Sequence, residues 1–86
     1  MRGRELVGRN VRRLRVAQGI SQERLAFDAG VDRSYLGGME RGEANPTVDV
    51  LDRLAHTLGV ALADLFAEIE GDGGFEQGLP RGRKRN

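Results

Sequence analysis

The stretch "SQERLAFDAGVDRSYLGGMERG", residues 21–42, contains two short helical patterns with very little sequence between them. The first begins at Ser21, a residue type that caps helix N-termini, and ends at Gly30. The second extends from about Asp32 to Arg41. We therefore predict two consecutive helices joined only by "AGVD", a tight turn that contains glycine.

The second of these helices has an apolar side and a polar side. At about 100° per residue, one side carries Tyr35, Leu36 and Met39. The opposite side carries Arg33, Ser34, Gly37 and Arg41, with Gly38 and Glu40 at its borders. The apolar side is expected to pack on the protein, which leaves the arginine-bearing side for a partner.

Two adjacent glycines, Gly37 and Gly38, lie in the middle of that helix. Each costs a helix interior roughly 1 kcal/mol relative to alanine. Three explanations stay open: the glycines let a partner approach the backbone closely, they relieve crowding against a neighbouring helix, or they fray the helix.

The rest of the chain predicts three further helices and a tail. The helical spans are about 5–18, 47–58 and 62–69, and no segment alternates with the period of a strand. Because Ala61 lacks a capping side chain, the last helix has the weakest start signal. The fold class is all-α, a compact five-helix domain over 1–70, and the glycine-rich residues 71–86 are expected to form a flexible basic tail.

Charge is distributed unevenly along the 86 residues, although the net charge is only +1. Residues 1–24 carry seven arginines against two acids, whereas residues 40–70 carry two arginines against seven acids. A molecule with one basic end offers a preferred face to a polyanion. The chain has no cysteine and no long apolar run, so we expect no disulfide, no membrane span and a cytoplasmic location.

Two short helices joined by a tight turn form the helix-turn-helix motif. Residues 19–60 resemble the Cro and phage-repressor (XRE-like) family of helix-turn-helix DNA-binding domains, and the resemblance extends over about 5–68. The matching residues are Ser21-Gln22, Leu25-Ala26, Gly30-Val31, Ser34-Tyr35, Glu40-Arg41-Gly42, Asn45-Pro46 and Leu58-Gly59. Within this family, "DRSYLGGMERG" is similar to the controller proteins of restriction–modification systems.

The resemblance implies a sequence-specific transcriptional regulator that binds an inverted-repeat operator as a homodimer, with helix three in the major groove of double-stranded DNA. An antitoxin-type module that binds a partner protein as well as DNA is the alternative. Whether RNA polymerase or a toxin is a partner stays open at this point.

The resemblance also assigns roles to four residues at the start and middle of helix three. Arg33 matches a base-reading position, and its forked donors suit guanine O6 and N7. Ser34 matches a second base-reading position, and Gly38 matches a third, where relatives often carry a polar side chain. Asp32 is first a helix cap, with acceptance from cytosine as a second role.

Other positions match contacts to the DNA backbone or to the protein itself. Ser21 and Gln22 lie at the start of helix two, where backbone N–H groups can bind a phosphate and Gln22 also braces helix three. Tyr35 is expected to place its ring in the core and its hydroxyl near the backbone. Arg41 and Asn45 match phosphate-facing positions. Arg15 and Glu40 correspond to a partly buried ion pair, which is structural.

Several remaining patterns have more ordinary explanations. His56 has no nucleophile or second ligand nearby, and the carboxylates of Asp49 and Asp52 complement a helix N-terminus, so we predict no enzyme, no metal site and no cofactor. "PRGRKR", residues 80–85, resembles an AT-hook core, for which nonspecific attraction to phosphates and a solvated terminus are the alternatives. Four apolar residues of helix five either close the core or contact a second subunit, namely Leu62, Leu65, Phe66 and Ile69.

Overall fold

The computed structural model describes residues 2–69, and this part of the chain contains four α-helices and one short 3-10 helix. The α-helices are α1 (Gly3–Ala17), α2 (Gln22–Ala29), α3 (Arg33–Glu40) and α4 (Val48–Leu58), and the 3-10 helix covers Leu62–Phe66. No strand is present in the described range. The all-α prediction is therefore confirmed, with the last element as an exception. The predicted division at residue 70 and the 71–86 tail, including its AT-hook-like segment, lie outside the described residues.

Local capping signals determine where three of the α-helices begin. Ser21 Oγ accepts a hydrogen bond from Arg24 N at 3.0 Å, and Thr47 Oγ1 accepts one from Val50 N at 3.1 Å. Asp32 Oδ2 does the same for the backbone N–H of Tyr35, at 3.1 Å. Each of these bonds satisfies an N–H group that has no acceptor within its own helix.

The turn between α2 and α3 depends on the backbone conformation of Gly30. Its φ is 72°, in the left-handed region that side chains with a Cβ rarely adopt. The next residue, Val31, donates its N–H to the Ala26 carbonyl at 2.9 Å, which satisfies a carbonyl at the end of α2. This closure leaves only three residues between the two helices.

All five elements of the described chain surround a single hydrophobic core. α1 packs on α3 and on the 3-10 helix, while α2 packs on α3 and α4. Apolar residues from all five elements are buried together, namely Val7, Val11, Leu25, Ala26, Ala29, Leu36, Met39, Leu51, Leu54, Ala55, Leu58 and Leu65. α3 is thus held in place by α1 and α2.

The prediction of a fifth α-helix over 62–69 is wrong. The helical turn ends at Phe66, and Ala67 is extended, with φ −68° and ψ 141°. A buried side chain from α1 explains the difference: Asn10 Nδ2 donates to the carbonyls of Leu65 at 3.1 Å and Ala67 at 2.9 Å. These bonds replace the partners that a longer helix would have supplied.

None of the helices within residues 2–69 has the length and apolar character that spanning a bilayer requires.

Candidate nucleic-acid interface

Helix α3 has one side in the core and the other side in solvent. The side chains of Leu36 and Met39 are both 0% exposed. Arg33 and Ser34, at the N-terminal end of the helix, are exposed. Within residues 2–69, no acidic side chain pairs with the Arg33 guanidinium. The forked donors of Arg33 are therefore available to an external acceptor.

The C-terminal end of α3 is connected to α1 and α2 through the carboxylate of Glu40. Arg15 donates to it from Nε at 2.8 Å and from Nη2 at 3.0 Å, which is the bidentate ion pair expected from the resemblance. Gln22 Nε2 adds a third hydrogen bond, at 2.9 Å to Oε1. Arg15 Nη1 also donates to the Ile20 carbonyl at 2.9 Å. One carboxylate thus holds three helices at fixed positions.

The bond from Gln22 to Glu40 is the bracing contact that the resemblance implies for this glutamine. Gln22 is the first residue of α2, and Ser21 precedes it as the exposed N-cap. Because the first N–H groups of a helix point outward along its axis, this end of α2 offers donors to an anion next to α3.

Three further candidates lie in α3, at its N-cap and in the loop that follows it. Tyr35 is half-buried and packs against the core, in agreement with the expected position of its ring. Asn45 is exposed in the loop after α3. One carboxylate oxygen of Asp32 caps α3, so of its two predicted roles the structure supports helix capping.

Arg41 covers the two glycines of α3. A Cβ atom placed on Gly37 would lie 3.3 Å from Arg41 Nη1 and 3.7 Å from Gln22 Oε1. A Cβ atom on Gly38 would lie 3.8 Å from Arg41 Nη2. Gly37 is buried under these side chains, although the helical pattern placed it on the open side. Within 4 Å the neighbouring atoms are only the flexible ends of Arg41 and of Gln22 on α2, and no backbone atom of another described helix comes that close, so any crowding is limited to side-chain ends.

The guanidinium of Arg41 is itself held by an acid in the following loop. Its Nε donates to Glu43 Oε1 at 3.1 Å, and both side chains are largely exposed. Arg41 therefore lies along the outer side of α3, with its Nη atoms over the glycines and its Nε directed to Glu43.

Sequence reasoning did not identify two residues on α1. Asn10, which is 0% exposed, holds the end of the 3-10 helix, and its Oδ1 accepts from Arg13 Nη2 at 2.8 Å. Gly8 lies against the end of α3, where an added Cβ would overlap the Met39 carbonyl oxygen. Asn10 and Gly8 both lie on the side of α1 that the apolar spacing predicts to be buried, and this placement was the signal that could have identified them.

His56 and Asp52, which the sequence analysis considered as possible catalytic or metal-binding residues, lie on α4. A shallow cleft of about 310 Å³ between α2 and α4 is lined by Asp28, Ala29, Asp52, Arg53, His56 and Thr57. Within residues 2–69, no group of three acidic or imidazole side chains is arranged to hold a metal ion. Asp28 accepts a hydrogen bond from Arg24 Nε at 2.7 Å, and this bond together with the Asp28 charge raises the pKa of Arg24.

Comparison with known proteins gives a consistent result. The helix-turn-helix family HTH_3 matches residues 11–65. An HTH-type transcriptional regulator of Sinorhizobium fredii, y4dJ, is 45% identical over 67 residues, which is 78% of this chain and 87% of that protein. The control protein C.BamHI of Bacillus amyloliquefaciens is 38% identical over 64 residues, or 73% of this chain and 79% of that protein.

A solved structure supports the same relationship. The restriction-modification controller protein C.AhdI from Aeromonas hydrophila superimposes with a TM-score of 0.71 at 44% identity. The match covers 73% of this chain and 96% of C.AhdI. The predicted resemblance to XRE-like domains and to controller proteins is therefore confirmed.

Proposed function

This chain belongs to the HTH_3 helix-turn-helix family of DNA-binding transcriptional regulators, and we propose that it recognises an inverted-repeat operator as a homodimer, with α3 in the major groove. The observation that supports this most directly is the orientation of α3. On its apolar side Leu36 and Met39 are completely buried and Tyr35 is half-buried, while Arg33 and Ser34 are exposed at its N-terminal end. An α-helix fits the major groove, where base edges present a distinct pattern for each base pair.

The surroundings of α3 support a docking geometry in which the backbone of the duplex is held by the two segments that flank α3 in the sequence. Before α3 come Ser21, Gln22 and the N-terminal N–H groups of α2. After α3 comes the loop that carries the exposed Asn45. Contacts of this kind set the position of the protein on the duplex, whereas side chains on α3 select the sequence. In this proposal Arg33 reads a guanine, and Ser34 lies close to a neighbouring base.

A homodimer is supported by the apolar residues near the end of the described chain. Leu65 is 0% exposed and closes the core, whereas the next residue, Phe66, is 46% exposed. Leu62 and Ile69 are half-buried. The core therefore uses only part of this apolar surface, and Phe66 with its half-buried neighbours is the part that a two-fold related copy would cover.

The experiment that tests this function is selection of bound duplexes from a random-sequence pool, followed by sequencing. We expect a two-fold symmetric sequence whose half-sites lie about 34 Å, or one helical turn of DNA, apart. Enrichment of a single half-site would remove the homodimer from the proposal. Failure to enrich any sequence would exclude sequence-specific recognition.

Replacing Arg33 by alanine is expected to weaken binding to the selected operator by about 1–3 kcal/mol per half-site and to relax the preference at one base pair. The reason is that a bidentate arginine contact to guanine would be lost without any change in the packing of α3. Fluorescence anisotropy with the operator and with each single-base-pair variant measures both effects.

Arg53→Ala is the matched control for this variant. Arg53 is an exposed arginine on α4, so the change removes the same charge away from α3. We expect the control to retain the base preference of the unmodified protein. Equal losses for Arg33→Ala on operator and random duplexes would show that Arg33 contributes charge and not sequence readout.

The similarity to control proteins supports a narrower assignment. We propose that this chain is a controller of the restriction–modification type, acting in the cytoplasm on a promoter. The selected operator can be located in the source genome. A position upstream of methyltransferase or endonuclease genes is the expected result, and a position beside unrelated genes would contradict this narrower assignment.

A further inference from the structure

Arg41 is the C-cap of α3, and its guanidinium group lies over Gly37 and Gly38 on the outer side of the helix. Counting about 100° per residue, Arg41 falls between Arg33 and Gly38 around the helix axis, on the side opposite to Leu36. Side chains on a helix lean toward its N-terminus, so the side chain of Arg41 is directed along α3 toward Gly37. The resemblance to the family implies a phosphate contact at this position, but the observed side-chain orientation is different.

The two glycines create the surface on which this guanidinium rests. The nearest approach is Arg41 Nη1, 3.3 Å from where a Cβ on Gly37 would be, and larger side chains there would push the guanidinium outward. Glu43 fixes the other end by accepting from Nε at 3.1 Å. As a result Nη1 and Nη2 lie over Gly37 and Gly38 on the exposed side of α3. In the proposed docking, this side of the helix faces into the groove.

We propose that Arg41 reads a base pair in the major groove and that Glu43 is its positioning residue. This inference rests on the proposed function, because it requires α3 to enter the groove. The guanidinium fork supplies the two donors that guanine O6 and N7 accept, and it occupies the space of the side chain that Gly38 lacks. Arg33 and Arg41 then read two different base pairs, one near each end of α3.

The position of Glu43 explains why an acid is found close to a surface that binds a polyanion. A carboxylate at this place repels phosphates, but its hydrogen bond to Nε keeps the arginine directed inward over the glycines. Glu43 therefore decreases general affinity for DNA and increases discrimination between sequences.

The test uses the selected operator, its single-base-pair variants and a random duplex of the same length, each at several salt concentrations. Arg41→Ala is expected to weaken operator binding about 10-fold or more beyond its effect on the random duplex, and to relax one base pair different from that relaxed by Arg33→Ala. Arg41→Lys keeps the charge but not the fork, so it is expected to leave the same base pair relaxed. Glu43→Ala removes the acceptor of Arg41 Nε, and it is expected to increase binding to the random duplex and to reduce discrimination at that base pair.

Other outcomes would overturn the inference. Equal losses for Arg41→Ala on operator and random DNA, with recovery in Arg41→Lys, would assign Arg41 to a phosphate. Unchanged discrimination in Glu43→Ala would remove the positioning role. If the unmodified protein selects no sequence at all, the proposed function fails as well. If Arg33→Ala relaxes a base pair and Arg41→Ala does not, only this inference fails. Thermal unfolding of each variant, followed by circular dichroism, confirms that these exposed substitutions leave the fold intact.

Discussion

Replacing Glu40 by alanine is expected to lower the free energy of unfolding by about 3–5 kcal/mol. The side chain of Glu40 is 2% exposed, and that of its partner Arg15 is 12% exposed. Without the carboxylate, a guanidinium that cannot lose its proton would stay largely buried with only the Ile20 carbonyl as an acceptor. Gln22 Nε2 would lose its acceptor as well. Since small domains are stable by only about 5–15 kcal/mol, this loss is a large part of the total.

Urea unfolding monitored by circular dichroism measures the effect, and Asp28→Ala is the matched control. Asp28 pairs with Arg24 at 2.7 Å, but that pair lies on the surface. A surface pair contributes about 0–1 kcal/mol, so the control variant should remain close to the unmodified protein. The double variant Arg15→Met, Glu40→Leu removes both charges, and we expect it to recover most of the lost stability. Equal effects of Glu40→Ala and Asp28→Ala would contradict the structural role of the buried pair.

The local parts of this fold could be predicted from sequence because their signals are contained within a few residues. Ser21, Asp32 and Thr47 each cap the helix that follows, and each bond spans only three positions. Gly30 and Gly59 adopt the left-handed conformation that ends a helix, with φ of 72° and 73°. The helix-turn-helix arrangement follows from these signals together with the apolar spacing.

The parts that could not be predicted depend on contacts between distant positions. The last helix ends early because Asn10 binds carbonyls that are 55 and 57 residues away along the chain. No local pattern around residues 62–69 contains that information, and the apolar spacing there is compatible with a longer helix. Tertiary hydrogen bonds at the end of this element therefore override the apolar spacing that predicts a helix to residue 69.

For the candidate interface, helical periodicity correctly predicted that Leu36 and Met39 lie on the buried side of α3. It did not predict which side chains cover the opposite side. Arg33 and Ser34 are exposed as expected. Gly37 is buried, because a side chain four positions later folds back over it. Residue spacing gives the direction of a Cα–Cβ bond, whereas the rotamers of a long arginine side chain depend on partners such as Glu43.

Replacing Gly8 by alanine is expected to lower the free energy of unfolding by about 3 kcal/mol, at the upper end of the usual range for overpacking. Gly8 is buried on the side of α1 that contacts α3. A methyl group would overlap the Met39 carbonyl oxygen and would lie 3.2 Å from the Glu40 carbonyl oxygen. Both are backbone atoms at the end of α3, so the clash cannot be relieved by rotating a side chain. α1 would have to move away from α3, which would also stretch the Arg15–Glu40 ion pair.

Gly38→Ala is the same substitution in the interior of another helix, and it is expected to change stability in the opposite direction. Its methyl group would have only Arg41 Nη2 nearby, at 3.8 Å, which is an ordinary van der Waals distance. The higher helix propensity of alanine should then raise the free energy of unfolding by up to about 1 kcal/mol. Urea unfolding of the two variants under identical conditions provides the comparison. Helix propensity favours alanine at both positions. If Gly8→Ala lowers stability while Gly38→Ala raises it, the loss at Gly8 must therefore come from the contact of α1 with α3. If Gly8→Ala proved as stable as the unmodified protein, that contact would not be close enough to exclude a methyl group.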